Sequence, residues 1–246
     1  MNRFTIVINA DVGVGVGNEA ELLPLLSSCN IACGGHAGNL QLMNQVVHLA
    51  KANQVKIGAH PSFPDKKHFG RTILKMTDYE LFKSLRHQII LLKKVVSQNH
   101  ATLNHVKPHG ALYNLALVDE KTANIIVEVI KNIDTSLKLY APFSSMLSTV
   151  ALKNNVEVVF EAFADRNYND DLTLVSRQQQ GALIVSKEAV FEHVKSIVFN
   201  QKVKTINGNE IDLKAETICV HGDTPNALKI IKNLHSNLSE IGVIIE

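Results

Sequence analysis

The sequence contains no tryptophan, and aromatic residues make up only 5% of its 246 positions. Aromatic side chains provide the stacking surfaces on which many proteins bind sugars and bases, so a platform of that kind is poorly supported. An excess of charge of one sign is also missing, because 25 Lys and Arg against 23 Asp and Glu leave a formal net charge of +2. This balance argues against a dedicated nucleic-acid-binding protein.

Long hydrophobic runs are absent as well, since no apolar stretch approaches the roughly 20 residues that a membrane-spanning helix needs. The first apolar run is interrupted at Asn9 and Asp11, too early for a secretory signal peptide. The three cysteines, Cys29, Cys33 and Cys219, are an odd number, which favours buried thiols in a reducing compartment. We therefore expect a cytoplasmic protein that binds no membrane and no nucleic acid.

Standard nucleotide-binding motifs are missing too. The glycines Gly13, Gly15 and Gly17 follow a predicted strand, but their spacing is not GxGxxG, and the chain has no Walker A motif. A flexible turn is the preferred interpretation of these glycines, with an anion-binding loop as the alternative.

Short apolar runs alternate with amphipathic stretches along the whole chain. The runs predict strands at 4–8, 29–33, 55–59, 103–106, 137–141, 156–160 and 217–220, and the amphipathic stretches predict helices at 40–53, 78–98, 120–132, 144–154, 187–200 and 225–241. Thr77 with Glu80 is typical of a capping box, and Thr224 followed by Pro225 is typical of a helix start.

This alternation predicts parallel strands with right-handed crossovers. About seven strands favour one closed β/α barrel over residues 1–246, with a doubly wound open sheet as the competing architecture. Asn207-Gly208 predicts a β-hairpin inserted near 202–213, before the last strand.

Polar residues recur where the predicted strands end. They are Asp11, His36, His60, Lys107, His109, Tyr113, Asn114, Glu161, Asp165, Arg166, His221 and Asp223. In a β/α barrel the carboxyl ends of the strands meet on one face, which is where active sites lie. Because four histidines each follow a predicted strand, we favour one shared site over four unrelated loop residues.

Several of these residues also have a purely structural interpretation. Asp165 and Arg166 fit an internal ion pair, and Asp223 fits a cap for the last helix. The histidines that do not follow strand ends are interpreted as surface or packing residues; they lie at positions 48, 68, 87, 100, 105, 193 and 235.

A metal site is a further alternative at this face. Asp11, His36, His60, His109 and His221 offer enough nitrogen and oxygen ligands for hydrolytic zinc. No HxH or HExxH pair fixes two ligands locally, so we assign no metal ligand from the sequence.

Six segments of the chain resemble motifs of the LamB/YcsF family. They are NIACGGHAG at 30–38, GAHPS at 58–62, FGR at 69–71, VKPHGALYN at 106–114, EAFADR at 161–166 and CVHGDTP at 219–225. The chain departs from the family pattern at Val14, which replaces an acidic residue, and at Asn39, Thr72 and Leu172.

The resemblance implies a TIM-like seven-stranded β/α barrel of the glycoside hydrolase/deacetylase type. It also implies the opening of 5-oxo-L-proline to L-glutamate, with ATP as co-substrate and with the B and C subunits of a 5-oxoprolinase as partners. The resemblance leaves open whether a divalent metal such as Mg²⁺ is also a cofactor. The alternatives are a metal-dependent hydrolase or deacetylase of the same barrel type, and a non-catalytic subunit that binds the lactam.

If ATP phosphorylates the lactam oxygen and water then attacks the ring carbon, the site needs a cation for the developing negative charge, a base for water and an acid for the ring nitrogen. As catalytic residues we expect Lys107 and Arg166 as the cations, Asp11 or His109 as the base, His60 or His221 as the acid, and also Asp165. As substrate-binding residues we expect His36, Arg71, Tyr113, Asn114, Glu161 and Asp223, of which Asp223 orients either His221 or a water molecule.

Overall fold

The structure is a computed structural model that describes residues 4–222, 224 and 226–246. Its strands are β1 (Phe4–Val12), β2 (Ser28–Ala32), β3 (Lys56–His60), β4 (Leu103–Val106), β5 (Lys138–Ala141), β6 (Val158–Phe163), β7 (Lys202–Lys204), β8 (Glu210–Asp212), β9 (Thr217–Cys219) and β10 (Val243–Ile245). Its helices are α1 (Glu19–Leu22), α2 (Leu40–Ala52), α3 (Asp78–Gln98), α4 (Gly110–Ala116), α5 (Glu120–Ile133), α6 (Met146–Lys153), α7 (Lys187–Asn200) and α8 (Ala227–Glu240), with a 3₁₀ turn at Leu23–Leu25.

Seven parallel strands close into a barrel. The hydrogen-bonded order is β1-β2-β3-β4-β5-β6-β9, and β9 pairs back onto β1, with Thr217 opposite Val7. The short strand β10 adds to the first residues of β1, where Val243 lies opposite Phe4. This closure confirms the predicted TIM-like seven-stranded β/α barrel.

The barrel strands are apolar because they are covered on both faces, by side chains inside the barrel and by helices outside it. All five residues of β2 are buried, and Cys29 and Ile31 are fully inaccessible to solvent. The cysteines Cys29, Cys33 and Cys219 are all free and buried, as the sequence predicted. Burial raises the pKa of the Cys29 and Cys33 thiols to about 12.

The longest helix, α3, shows how local sequence signals and packing agree. Its capping box is formed, because Thr77 accepts a hydrogen bond from the Glu80 amide and the Glu80 carboxylate accepts one from the Thr77 amide. Leu81, Leu85 and Leu92 recur at helical spacing and are buried against the barrel. Each such leucine contributes about 1.5–3 kcal/mol by leaving water.

The structure differs from the sequence prediction at several elements. The sixth strand begins and ends later than predicted, at Val158–Phe163, while the short α1, α4 and β10 were not predicted. The last helix begins at Ala227 after Asn226, whose φ is 64°. The predicted role of Pro225 lies outside the described residues.

The segment between α7 and β9 forms an antiparallel pair. Lys204 of β7 lies opposite Glu210 of β8, and Gly208 in the connecting turn has a φ of 88°, a conformation that glycine adopts without strain. Among the described residues, no helix combines the length and the apolar character needed to cross a membrane.

Candidate active site

A cavity of about 590 Å³ opens where the barrel strands end. Most of the predicted site residues line it, namely Asp11, His60, Arg71, Lys107, His109, Tyr113, Asn114, Arg166 and His221. They are distant in sequence, and the parallel barrel brings them together at one face. Val14, at the position where the resemblance predicts an acidic residue, also lines this cavity.

Lys107 lies at the base of the cavity with its ammonium group fully engaged. The Nζ atom lies 3.1 Å from Asp11 Oδ1, 2.9 Å from Glu161 Oε1 and 3.1 Å from Cys219 Sγ. Burial opposes its charge, but the nearby Asp11, Cys219 and Glu161 hold the pKa of Lys107 well above its usual value. An ammonium group has three N–H donors, so these partners use all of them. The arrangement favours a role for Lys107 in holding the two carboxylates, rather than the predicted contact with substrate charge.

A hydrogen-bonded network inside the barrel holds these carboxylates in place. Asn30 Nδ2 donates to Asp11 Oδ1 and to Asn9 Oδ1, each at 2.8 Å. Asn9 Nδ2 donates to Glu161 Oε1 at 3.1 Å, and the Tyr113 hydroxyl donates to Glu161 Oε2 at 2.9 Å. Glu161 lies within β6 and is 1% exposed, so the prediction that it sits at a strand end was wrong. Its contacts favour a supporting role over substrate binding.

Three histidines pack together beside Asp11. His36, His60 and His109 are all buried, and the His36 ring stacks on the His109 ring with a centroid distance of 3.7 Å. Gly70 lies directly against them, because a Cβ at that position would be 2.9 Å from His36 Cβ. Burial and the neighbouring His60 lower the pKa of His109 to about 3. One ring nitrogen of each histidine lies within 4.8 Å of one ring nitrogen of the other two, so this group could hold a metal ion.

His221 and Asp165 form a second catalytic candidate on the other side of the cavity. His221 Nδ1 donates to Asp165 Oδ1 at 2.9 Å, and Thr224 Oγ1 donates to Asp165 Oδ2. Burial acts to raise the pKa of Asp165, but His221 and these hydrogen bonds hold it below its usual value. The His221 ring stacks on Phe163 with a centroid distance of 5.3 Å. The carboxylate therefore fixes one tautomer of His221 and leaves Nε2 available for proton transfer.

Arginine side chains supply positive charge to the cavity wall. Arg166 is 6% exposed, and its Nη2 donates to the Val175 carbonyl at 2.6 Å, while its Nε has no hydrogen-bond partner among the described residues. Burial, together with Arg177 and Arg71, lowers the pKa of Arg166 to about 10. Burial of a guanidinium beside other cations favours the binding of an anion there.

The remaining predicted residues have diverse positions. Asn114 is exposed and lines the cavity, and His36 lies behind His109. Asp223 lies outside the described residues. Among the histidines assigned to the surface or to packing, His105 is fully buried and stacks on Tyr140 with a centroid distance of 3.8 Å.

The sequence analysis did not identify Asn9, Asn30, His105 or Thr224 as part of this site. His105 Nε2 donates to Asn30 Oδ1 at 2.8 Å, which extends the interior network. The sequence spacing could have identified two of these residues, because side chains two residues apart on a strand lie on the same face. Asn9 precedes Asp11 and His105 precedes Lys107 by that spacing.

Comparisons with known proteins identify the family of this chain. The model of the LamB/YcsF family matches residues 6–246. The 5-oxoprolinase A subunit from Haemophilus influenzae (strain PittEE) is 41% identical over 235 residues, which is 96% of both chains. The 5-oxoprolinase A subunit from Pyrococcus abyssi is 41% identical over 241 residues, covering 96% of this chain and 94% of that one.

A similar solved structure is that of a lactam utilization protein from Thermus thermophilus. It aligns with a TM-score of 0.92 and 34% sequence identity, over 98% of this chain and 99% of that chain.

Proposed function

The chain belongs to the LamB/YcsF family, and from this membership we propose that it is the A subunit of a 5-oxoprolinase. In this proposal it opens the lactam of 5-oxo-L-proline to give L-glutamate, in the cytoplasm, together with the B and C subunits and with ATP as co-substrate. The observation that carries the proposal is the cavity at the barrel mouth, where Asp11, His60, His221 and Arg166 converge.

The chemistry explains why ATP is needed. A five-membered lactam is a stable amide, and water attacks it slowly near neutral pH. Transfer of the γ-phosphoryl group of ATP to the lactam oxygen makes the ring carbon a better electrophile. Water then adds to that carbon, and the carbon–nitrogen bond breaks as the nitrogen takes a proton, which leaves a carboxyl phosphate on the opened chain. A second water molecule releases phosphate from it, and ADP is the other product. The site has to supply a base, an acid and positive charge for these steps.

The geometry divides these tasks among the described residues. His221 is the proposed acid for the ring nitrogen, because Asp165 fixes its tautomer and it remains 14% exposed to the cavity. Asp11 is the proposed base, since it lines the cavity, its Oδ2 lies 3.2 Å from His60 Nε2 and its Oδ1 is held by Lys107 and Asn30.

Arg166 and Arg71 are the proposed partners of the substrate's negative charge. Both line the cavity, and Arg71 lies over the Phe69 ring at 5.1 Å. Lys107 is then a positioning residue that acts through Asp11, which revises the role expected from the sequence.

The test is glutamate release from 5-oxo-L-proline by this chain alone and by the chain with the B and C subunits, each with and without ATP. Release only in the complete mixture supports the proposal. Release by the isolated chain without ATP overturns the ATP-coupled reaction. No release in a mixture whose B and C subunits work with a related protein in place of this chain overturns the substrate assignment.

A matched pair of variants separates the site from general damage. His221→Gln should abolish most of the release, whereas His48→Gln, on the exposed side of α2, should retain it.

A further inference from the structure

We propose that the guanidinium groups of Arg166 and Arg177 form a phosphate-binding subsite on the cavity wall, and that this subsite binds the phosphoryl group of the phosphorylated lactam. The proposal rests on the proposed function for its ligand, because the lactam carries that group only after transfer from ATP. Arg177 lies in the long connection between β6 and α7 and lines the same cavity as Arg166. The sequence analysis assigned no role to Arg177.

Arg166 has hydrogen-bond donors that the protein leaves free. Its side chain is 6% exposed, and its Nε has no hydrogen-bond partner among the described residues. A guanidinium group has five N–H donors, and the bond from Nη2 to the Val175 carbonyl oxygen is the one that Arg166 makes within the described part of the chain. A buried polar group without a partner is costly, so the free Nε indicates a ligand or a water molecule beside it.

Neither arginine is neutralised by a carboxylate of the described residues. Asp165 directly precedes Arg166, but its carboxylate accepts a hydrogen bond from His221 Nδ1 at 2.9 Å. No ion pair in the described part of the chain involves Arg166 or Arg177. The described lining residues include one carboxylate, on Asp11, which Lys107 and His60 already contact. Two positive charges therefore line the cavity without a counter-ion from these residues, and a doubly charged anion matches them.

The loop that carries both arginines is held in one shape by hydrogen bonds. Arg166 binds the Val175 carbonyl oxygen at 2.6 Å. The Gln179 amide donates to the Ser176 carbonyl oxygen at 2.8 Å, which closes a four-residue turn with Arg177 at its second position. Burial and the neighbouring Arg177 lower the pKa of Arg166 to about 10. The closeness of the two charges is therefore unfavourable in the empty cavity, and a bound anion removes that cost.

The charge and the position of this subsite identify its ligand. A phosphoryl group carries about 1.5 to 2 negative charges at pH 7 and offers three acceptor oxygens, whereas a carboxylate carries one charge. Arg166 directly follows Asp165, which fixes the tautomer of His221, the proposed acid for the ring nitrogen. In the phosphorylated lactam, the phosphoryl oxygen and the ring nitrogen are bonded to the same carbon. The phosphoryl group therefore belongs in the part of the site next to His221, and the lactam carboxylate then lies toward Arg71 on the same wall.

The experiment measures the binding of inorganic phosphate to the full chain, at constant ionic strength and without lactam, ATP or partner subunits. Binding is followed by the broadening of the ³¹P resonance of phosphate. Arg177→Gln should weaken phosphate binding about tenfold to a hundredfold, as expected for the loss of a charged hydrogen bond, and Arg166→Gln should weaken it at least as much. Arg86→Gln is the matched control and should leave binding unchanged, because Arg86 is an exposed residue of α3 that does not line the cavity.

Acetate and ATP, added as competitors, distinguish the phosphoryl group from two other sources of negative charge. Acetate should bind at least about tenfold more weakly than phosphate, because it carries one charge. Acetate that competes as strongly as phosphate would assign the subsite to a carboxylate and overturn the proposal. ATP that binds at least about tenfold more tightly than phosphate, and loses this advantage in Arg177→Gln, would assign the subsite to the nucleotide and also overturn it.

Two results with phosphate alone also overturn the proposal. One is a wild-type chain that does not bind phosphate, and the other is equal binding by wild type and Arg177→Gln. Because Arg177 is exposed, its variant keeps the test decisive if Arg166→Gln does not fold. No turnover is measured, so a failure of phosphate binding leaves the proposed lactam opening standing. A failure of glutamate release leaves the arginine subsite standing and removes only the ligand assigned to it.

Discussion

Replacement of Lys107 by methionine should strongly destabilise the protein. Methionine retains most of the aliphatic stem but removes the ammonium group that lies 3.1 Å from Asp11 Oδ1 and 2.9 Å from Glu161 Oε1. Lys107 is 2% exposed and the Glu161 side chain is fully buried, so water cannot replace the lost charge. Removal of one partner from a buried ion pair costs about 3–5 kcal/mol, because it leaves an uncompensated buried charge. We expect a loss of that size in the free energy of unfolding of Lys107→Met.

The double variant Lys107→Met with Glu161→Gln tests the physical reason. Glutamine keeps the shape of Glu161 and can still accept the hydrogen bond from Tyr113, but it removes one of the two unpaired negative charges. The double variant should therefore be more stable than Lys107→Met alone. A surface pair provides the control, because Lys93 and Asp134 lie 2.7 Å apart with side chains that are 39% and 34% exposed. Lys93→Met should cost about 0.2–1 kcal/mol.

The assay is urea denaturation near neutral pH, followed by far-ultraviolet circular dichroism, for wild type and the three variants. The comparison requires equal denaturant slopes, which show that the variants expose similar surface on unfolding. A Lys107→Met variant within about 1 kcal/mol of wild type would refute the reasoning, since it would place Lys107 among surface ion pairs. A double variant less stable than Lys107→Met would refute the assignment of the cost to unpaired carboxylates.

Three further predictions concern other parts of the site. Asp165→Asn should lower kcat for glutamate release by about a hundredfold to ten-thousandfold, because it no longer fixes the catalytic tautomer of His221; an unchanged kcat in steady-state assays would contradict this. Arg166→Gln should raise KM for 5-oxo-L-proline about tenfold to a hundredfold, the effect of losing a charged hydrogen bond worth about 1.5–3 kcal/mol, and a change confined to kcat would contradict it. The pKa of His105 falls to about 3 because it is buried near Lys107, so the unfolded chain, in which its pKa is about 6.5, takes up the extra proton. The neutral His105 side chain therefore contributes stability above about pH 6.5, and this contribution is lost as the pH falls. Between about pH 7 and about pH 5, the free energy of unfolding of wild type should fall by about 2 kcal/mol more than that of His105→Gln, as measured by denaturant titrations.

The barrel could be predicted because its signals are local and repeated. Each strand is a short run of apolar residues, and several of the helices between the strands carry a start signal, such as the Thr77–Glu80 capping box. Parallel pairing and right-handed crossovers then leave few architectures. The boundaries were less accurate at β6, since its first residues are only half-buried and carry a weaker apolar pattern.

The sequence also predicts that the site residues lie at one face of the barrel. It does not predict which of their side chains contact one another. Residues at the carboxyl ends of parallel strands must share a face, which placed Asp11, His60 and His221 together. The Lys107 ammonium group contacts Glu161 and Cys219, and these contacts join distant strands across the barrel interior. A single sequence does not specify such contacts, because they are fixed by barrel closure and side-chain packing.

The charges around the cavity are unevenly distributed, and this distribution orients a substrate. At the base, one ammonium group on Lys107 faces two carboxylates, on Asp11 and Glu161, which leaves one negative charge beside the buried histidines. On the wall, Arg166 and Arg71 present positive charge. A substrate that carries a carboxylate should therefore place that group against the arginines, because the base of the cavity repels it. Its reacting ring carbon then lies toward Asp11, the proposed base.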